Sequence, residues 1–135
     1  MSGSDVEIVR QVLEAGPGQA AGVMADLLHP AVHLDMSKRA CNPGVFDGYE
    51  GIARWREEVN DEWAAYRMQP EEIYEGEDGI VAVARELARG RRDDGARLDE
   101  RITFMFTLRE GRVREIRYYD DLSRALADAG CAPPP

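Results

Sequence analysis

A chain of 135 residues with 44% apolar side chains is long enough to bury one hydrophobic core, and its apolar runs, such as Ile80 to Ala84, fall far short of a bilayer span. Seventeen basic residues against 26 acidic ones give a net charge of −9, which repels phosphate backbones and anionic lipid and excludes nucleic acid and membrane surfaces as partners. Cys41 and Cys131 lie far apart in a sequence with no basic and apolar leader, so reduced thiols and a cytoplasmic location are expected.

Ser4-Asp5-Val6-Glu7 reads as a capping box, which starts a helix carrying Val6, Val9 and Leu13 on one face and ending at Gly16-Pro17-Gly18. A second helix is expected over about Gln19 to Leu28, ended by His29-Pro30 because the residue before proline is pushed out of helical geometry. Ala31 to Met36 reads as a short strand and Ser37 to Gly48 as a loop rich in glycine, proline, asparagine and charge. Gly51 to Tyr66 carries the longest helical pattern, with Ile52, Trp55, Val59, Trp63 and Tyr66 on one stripe.

From Met68 the periodicity becomes alternating, and the turns Glu77-Asp78-Gly79, Asp93-Asp94-Gly95 and Glu110-Gly111 divide the remainder into strands. These strands are Met68 to Tyr74, Ile80 to Gly90, Arg97 to Leu108 and Arg112 to Asp120, each turn holding a glycine suited to positive φ. A last helix covers Asp121 to Ala129, with Gly130 just past its end. Residues 1–130 therefore read as one domain and 131–135, with three closing prolines, as a disordered tail.

Short connections between consecutive strands make a meander of antiparallel neighbours. On the strand Arg97 to Leu108 the even positions Leu98, Ile102, Phe104, Phe106 and Leu108 are apolar, so that face is expected inside. Three or four amphipathic helices have only this sheet to pack against, and all are expected on its even side. The fold class is thus α+β, with helices closing the concave side of a curved antiparallel sheet and leaving an apolar pocket for a small organic molecule. The odd face mixes threonine, methionine and charge, which suits a partner sheet in a homodimer.

Several stretches together carry a family likeness: His29-Pro30-Ala31-Val32-His33-Leu34-Asp35-Met36-Ser37, Tyr49-Glu50-Gly51 leading into Trp55, Leu108-Arg109-Glu110-Gly111-Arg112-Val113, and Ala125-Leu126-Ala127-Asp128-Ala129-Gly130. From about Asp5 to Gly130 the chain resembles the nuclear transport factor 2-like superfamily, in particular its SnoaL-like branch. The resemblance implies a cone whose wide end admits an apolar substrate, on a fold shared by ketosteroid isomerases, limonene epoxide hydrolases, polyketide cyclases and binding proteins. It places Asp35 where the ketosteroid isomerases keep their general base, but puts Val9 and Phe104 where those enzymes have the tyrosine and aspartate of the oxyanion hole. It places Tyr118 where the epoxide hydrolases have a catalytic aspartate, with Arg85 and Glu86 on the strand where their arginine and neighbouring acid would be sought.

The catalytic candidates are therefore Asp35, Tyr118 and Asp120. Asp35, if turned inward, would lose water and gain basicity. Tyr118 would either donate to a substrate oxygen or pack, and Asp120 would serve as a second pocket acid or as a helix cap. Tyr49, Trp55, Trp63, Phe104, Phe106 and Arg85 are the substrate-binding candidates. His29, His33 and Asp35 lack a further ligand at metal spacing, and no phosphate loop or nucleophile elbow occurs, so neither a metal nor a cofactor is expected. Two functions follow: a cofactor-independent isomerase, cyclase or hydrolase acting on an apolar oxygenated metabolite, or a non-catalytic ligand-binding domain with the same pocket.

Overall fold

The computed structural model describes residues 3–16, 26–40, 42–91 and 95–131, with side chains for all of these except Gly3 and Ser4. The capping box at Ser4, most of the helix expected over Gln19 to Leu28, Cys41 and the prolines of the tail lie outside the described residues or side chains.

Helix α1 (Gly3–Ala15) buries Val9 and Leu13 and packs Val6, Ile8 and Val12 on the same core, as its three- and four-residue spacing dictates. Strand β1 (Leu28–Asp35) begins earlier than expected and takes in His29 and Pro30. The missing proline N–H is tolerated because the ladder to the neighbouring strand is interrupted between Leu28 and His33. Strand β2 (Val45–Asp47), inside the segment read as a loop, pairs antiparallel with the end of β1.

Helix α2 (Gly48–Glu62) buries Gly51, Ile52, Trp55 and Val59. A Cβ at Gly51 would lie 2.7 Å from the Phe46 carbonyl carbon, so only glycine lets this helix sit so close to β2. The expected helix ran on to Tyr66, but Trp63 is already extended, with φ −114° and ψ 130°. Trp63 opens β3 (Trp63–Glu75) and pairs with Gly90, since no glycine stop is needed where aromatic residues can enter a sheet. Strands β4 (Ile80–Gly90), β5 (Arg97–Arg109) and β6 (Arg112–Tyr119) follow as expected within a residue. Gly95 and Gly111 take φ of +76° and +77°, whereas Gly79 is not in the left-handed region.

The six strands form one mixed sheet in the order β2-β1-β6-β5-β4-β3, antiparallel except for the parallel β1–β6 pair. Its inner face carries Leu34, Ile116, Phe106 and Ile80 in one row and Tyr118, Phe104 and Ala82 in the next, under α1 and α2. The third described helix, α3 (Leu122–Ala129), corrects the expectation that all helices share that face. Its Ala125, Leu126 and Ala129 pack on Val81, Met105 and Tyr119 of the outer face, part of the surface expected to meet a second copy. Asp121 caps α3 through Ser123 N and Arg124 N, and Gly130 closes it at φ +75°.

Candidate functional site

Alternation along β1 sets the geometry of the site. Leu34 and Met36 are each 2% exposed and face inward, so Asp35 between them points the other way. Between α1, α2 and the inner sheet face lies an apolar pocket of about 60 Å³, room for about four waters. Val12, Leu34, Met36, Trp55, Phe104 and Phe106 are among its walls, and among the described residues every lining side chain is apolar. Trp55 Nε1 is buried without a hydrogen-bond partner among the described residues. An orphaned donor of this kind costs about 1–3 kcal/mol, which a ligand acceptor would recover.

Asp35, Tyr118 and Asp120 converge elsewhere, on a polar depression of about 120 Å³ at the carboxyl ends of β1 and β6, shared with Ser37, Lys38, Arg117 and Arg124. The Tyr118 ring packs edge-on against Phe104 with centroids 6.2 Å apart, so one aromatic pair separates depression from pocket. Burial raises the Tyr118 phenol above its ordinary pKa and keeps it a neutral donor. Asp35 Oδ1 accepts from Ser37 Oγ at 2.6 Å and Ser37 N at 3.0 Å. Those bonds, the hydroxyl first, hold the Asp35 carboxyl below the usual carboxylate range despite some desolvation. This corrects the expectation of an inward, more basic Asp35. Asp120 is exposed, and the capping role falls to Asp121.

Behind Tyr118 lies the cluster that reading the sequence missed. Arg39 Nη2 donates to Glu86 Oε1 at 2.6 Å and Oε2 at 2.7 Å, and the Tyr66 hydroxyl donates to the same carboxylate. Glu86 is 0% exposed and Arg39 7%, and these are the only buried charged residues among those described. The Arg39 guanidinium also stands 5.8 Å over the Tyr118 ring. Burial and the adjacent Glu86 push the Tyr66 phenol far above the ordinary tyrosine value. Burial pulls Arg39 down, but Tyr66 and Glu86 outweigh it and the net direction is up.

The remaining candidates divide clearly. Trp55, Phe104 and Phe106 line the pocket, whereas Trp63 is core, with its own Nε1 lacking a partner among the described residues. Tyr49 donates to Leu28 O at 2.9 Å and packs on the core. Arg85 lies on the outer face, 2.8 Å from Asp99 Oδ1, away from any pocket role. Glu100 stands opposite Glu86 but is exposed. His29 Nδ1 accepts from Ala31 N at 3.0 Å, and His33 Nδ1 lies 2.5 Å from Asp47 Oδ1. No group of three potential metal ligands occurs among the described residues.

No protein-family model matches the sequence, and neither does any curated protein. Solved structures do match. A candidate SnoaL-like polyketide cyclase from Jannaschia is 21% identical, with 98% of this chain and 94% of that one covered at a TM-score of 0.73. A Catenulispora acidiphila protein with a ketosteroid isomerase-like fold, in complex with trimethylamine, is 16% identical over 91% of this chain and 92% of that one, TM-score 0.71. A Mycobacterium tuberculosis protein in complex with estradiol-17β-hemisuccinate is 15% identical over 88% and 95%, TM-score 0.70. The helices, the mixed sheet and these matches together give the chain the nuclear transport factor 2-like fold, in the form shared by SnoaL-like and ketosteroid isomerase-like proteins.

Proposed function

We propose that the protein binds a small apolar molecule bearing one oxygen acceptor, its apolar body in the pocket and its oxygen at Trp55 Nε1. The observation that carries this reading is a pocket whose described lining side chains are all apolar and include Trp55, whose buried Nε1 has no hydrogen-bond partner among the described residues. Neighbours of the same fold that hold trimethylamine and estradiol-17β-hemisuccinate support it. The test is saturation-transfer NMR with cyclohexanone on the wild type and on Val12→Phe, which fills the pocket from the half-buried face of α1. Transfer in the wild type and its loss in the variant support the reading, and equal transfer in both refutes it.

A second reading, a cofactor-independent isomerase, cyclase or hydrolase, is favoured by the convergence of Asp35, Tyr118 and Asp120 one aromatic pair away from the pocket. In it Tyr118 donates to the substrate oxygen and Asp35 accepts a proton. It ranks second because a carboxylate already satisfied by Ser37 is a weak base at neutral pH. Asp35→Asn discriminates the two: it abolishes turnover in the catalytic reading and leaves cyclohexanone binding unchanged in both.

A further inference from the structure

One end of the outer sheet face is charged against the rest of the molecule. Arg89 stands directly opposite Arg97 across β4 and β5, and Arg85 directly opposite Arg101. The second pair is compensated: Arg85 Nε is 2.8 Å from Asp99 Oδ1, and Arg101 reaches Glu71 Oε1 at 2.8 Å and Glu72 Oε1 at 3.3 Å. The first pair is not. Arg89, Arg97 and the nearby Arg67, which lies opposite Leu87 on β3, have no ion pair or side-chain hydrogen bond with any described residue.

These three arginines, with Leu87 and Asp99, border a groove of about 380 Å³. Asp99, the one carboxylate among its described lining residues, is already held by Arg85, so the described lining is cationic on a chain of net charge −9. Like charges directly opposite on neighbouring strands are unfavourable unless something of opposite sign lies across them. Guanidinium forks match phosphate and carboxylate oxygens in pairs. Neighbouring strands are about 4.8 Å apart, so the two forks can take the two ends of one short polyanion.

We propose that the groove of Arg67, Arg89 and Arg97 is a binding site for a diphosphate group, free or carried by a small organic molecule whose first carbons rest on Leu87. The test is calorimetric titration at low ionic strength with inorganic pyrophosphate and with butyl diphosphate. Wild type is compared with Arg89→Gln/Arg97→Gln and with a control of equal charge change at the opposite end of β5, Arg109→Gln/Arg112→Gln.

The expected result is one saturable site, weakened at least tenfold in the groove variant and less than twofold in the control. Tighter binding of butyl diphosphate identifies an organic ligand, and equal binding a free one. Because the groove variant removes a repulsion, its melting temperature without ligand is expected not to fall. Should it fail to fold, Arg89→Lys/Arg97→Lys keeps the charge, loses the fork, and is expected to weaken pyrophosphate severalfold. No saturable binding to wild type, or equal weakening in groove variant and control, overturns the proposal. So does a groove variant that changes the oligomeric state by sedimentation, which would make this face a contact between copies.

Discussion

Removing the Arg39 guanidinium strands the Glu86 carboxylate in the core with only the Tyr66 hydroxyl to solvate it. Glu86 is 0% exposed and the Arg39 side chain 4%, so water cannot substitute for the lost partner. Breaking a buried pair in this way costs about 3–5 kcal/mol. For a chain of 135 residues that is a drop in melting temperature of about 10–18 °C. Arg39→Ala, followed by urea unfolding with far-ultraviolet circular dichroism and tryptophan fluorescence, measures it directly. The triple variant Arg39→Met/Glu86→Leu/Tyr66→Phe removes all the polar atoms together and is expected to regain most of the loss, because a well-packed apolar replacement spares three desolvations. A cost under about 1 kcal/mol for Arg39→Ala would refute the reasoning, since it would mean that the carboxylate is solvated or never depended on arginine.

The raised Tyr66 pKa has a consequence at high pH. The unfolded phenol ionises near 10 while the folded one keeps its proton, so stability falls above that pH by up to about 1.4 kcal/mol per unit for this one group. Tyr66→Phe should reduce the slope of an alkaline denaturation series by that amount, and an unchanged slope would contradict it. Asp35 works in the other direction: its lowered pKa contributes stability above the ordinary carboxylate value that is lost as pH falls through the folded one. Carboxyl NMR titration should find Asp35 below its unperturbed pKa, and Ser37→Ala should raise it; no movement in the variant would assign the shift to something else. Gly76→Ala would set a Cβ 2.1 Å from Ala129 O and 2.8 Å from Cys131 Sγ, pushing α3 off the outer face. A loss of about 1–3 kcal/mol is expected, read as a lower melting temperature; a wild-type value would show that α3 yields freely.

The long strands were legible because alternation survives wherever one face is buried, as at Ile102, Phe104 and Phe106. Residues Ile80 to Ala84 are buried on both faces, and such an unbroken apolar run signals cover on both sides. Read that way, it would have placed a helix on the outer face, where α3 packs. Trp63 and Tyr66 satisfy a helical stripe and an aromatic strand equally well, and the decision comes from Trp63 pairing with Gly90, a contact outside local pattern. The three residues of β2 leave no periodicity to read.

At the site, Asp35, Tyr118 and Asp120 do come together, but one position of strand parity turns Asp35 away from the pocket. Arg39, Tyr66 and Glu86 come from a loop and two strands, and no spacing rule joins them. Their one signal was Glu86 itself, a lone carboxylate on a face of β4 otherwise reading Ile80, Ala82, Ala84 and Ala88.

The chain has two tryptophans, so a ¹⁵N correlation spectrum has two indole signals, assignable with Trp55→Phe. Titration with cyclohexanone, against methylenecyclohexane of the same shape but without the oxygen, reports on the unpartnered Trp55 Nε1–H alone. A saturable downfield shift of the Trp55 signal with the ketone only, the Trp63 signal standing still, is the predicted result. A Trp55 signal indifferent to the ketone, or equally responsive to both compounds, would contradict the proposed pocket and its donor.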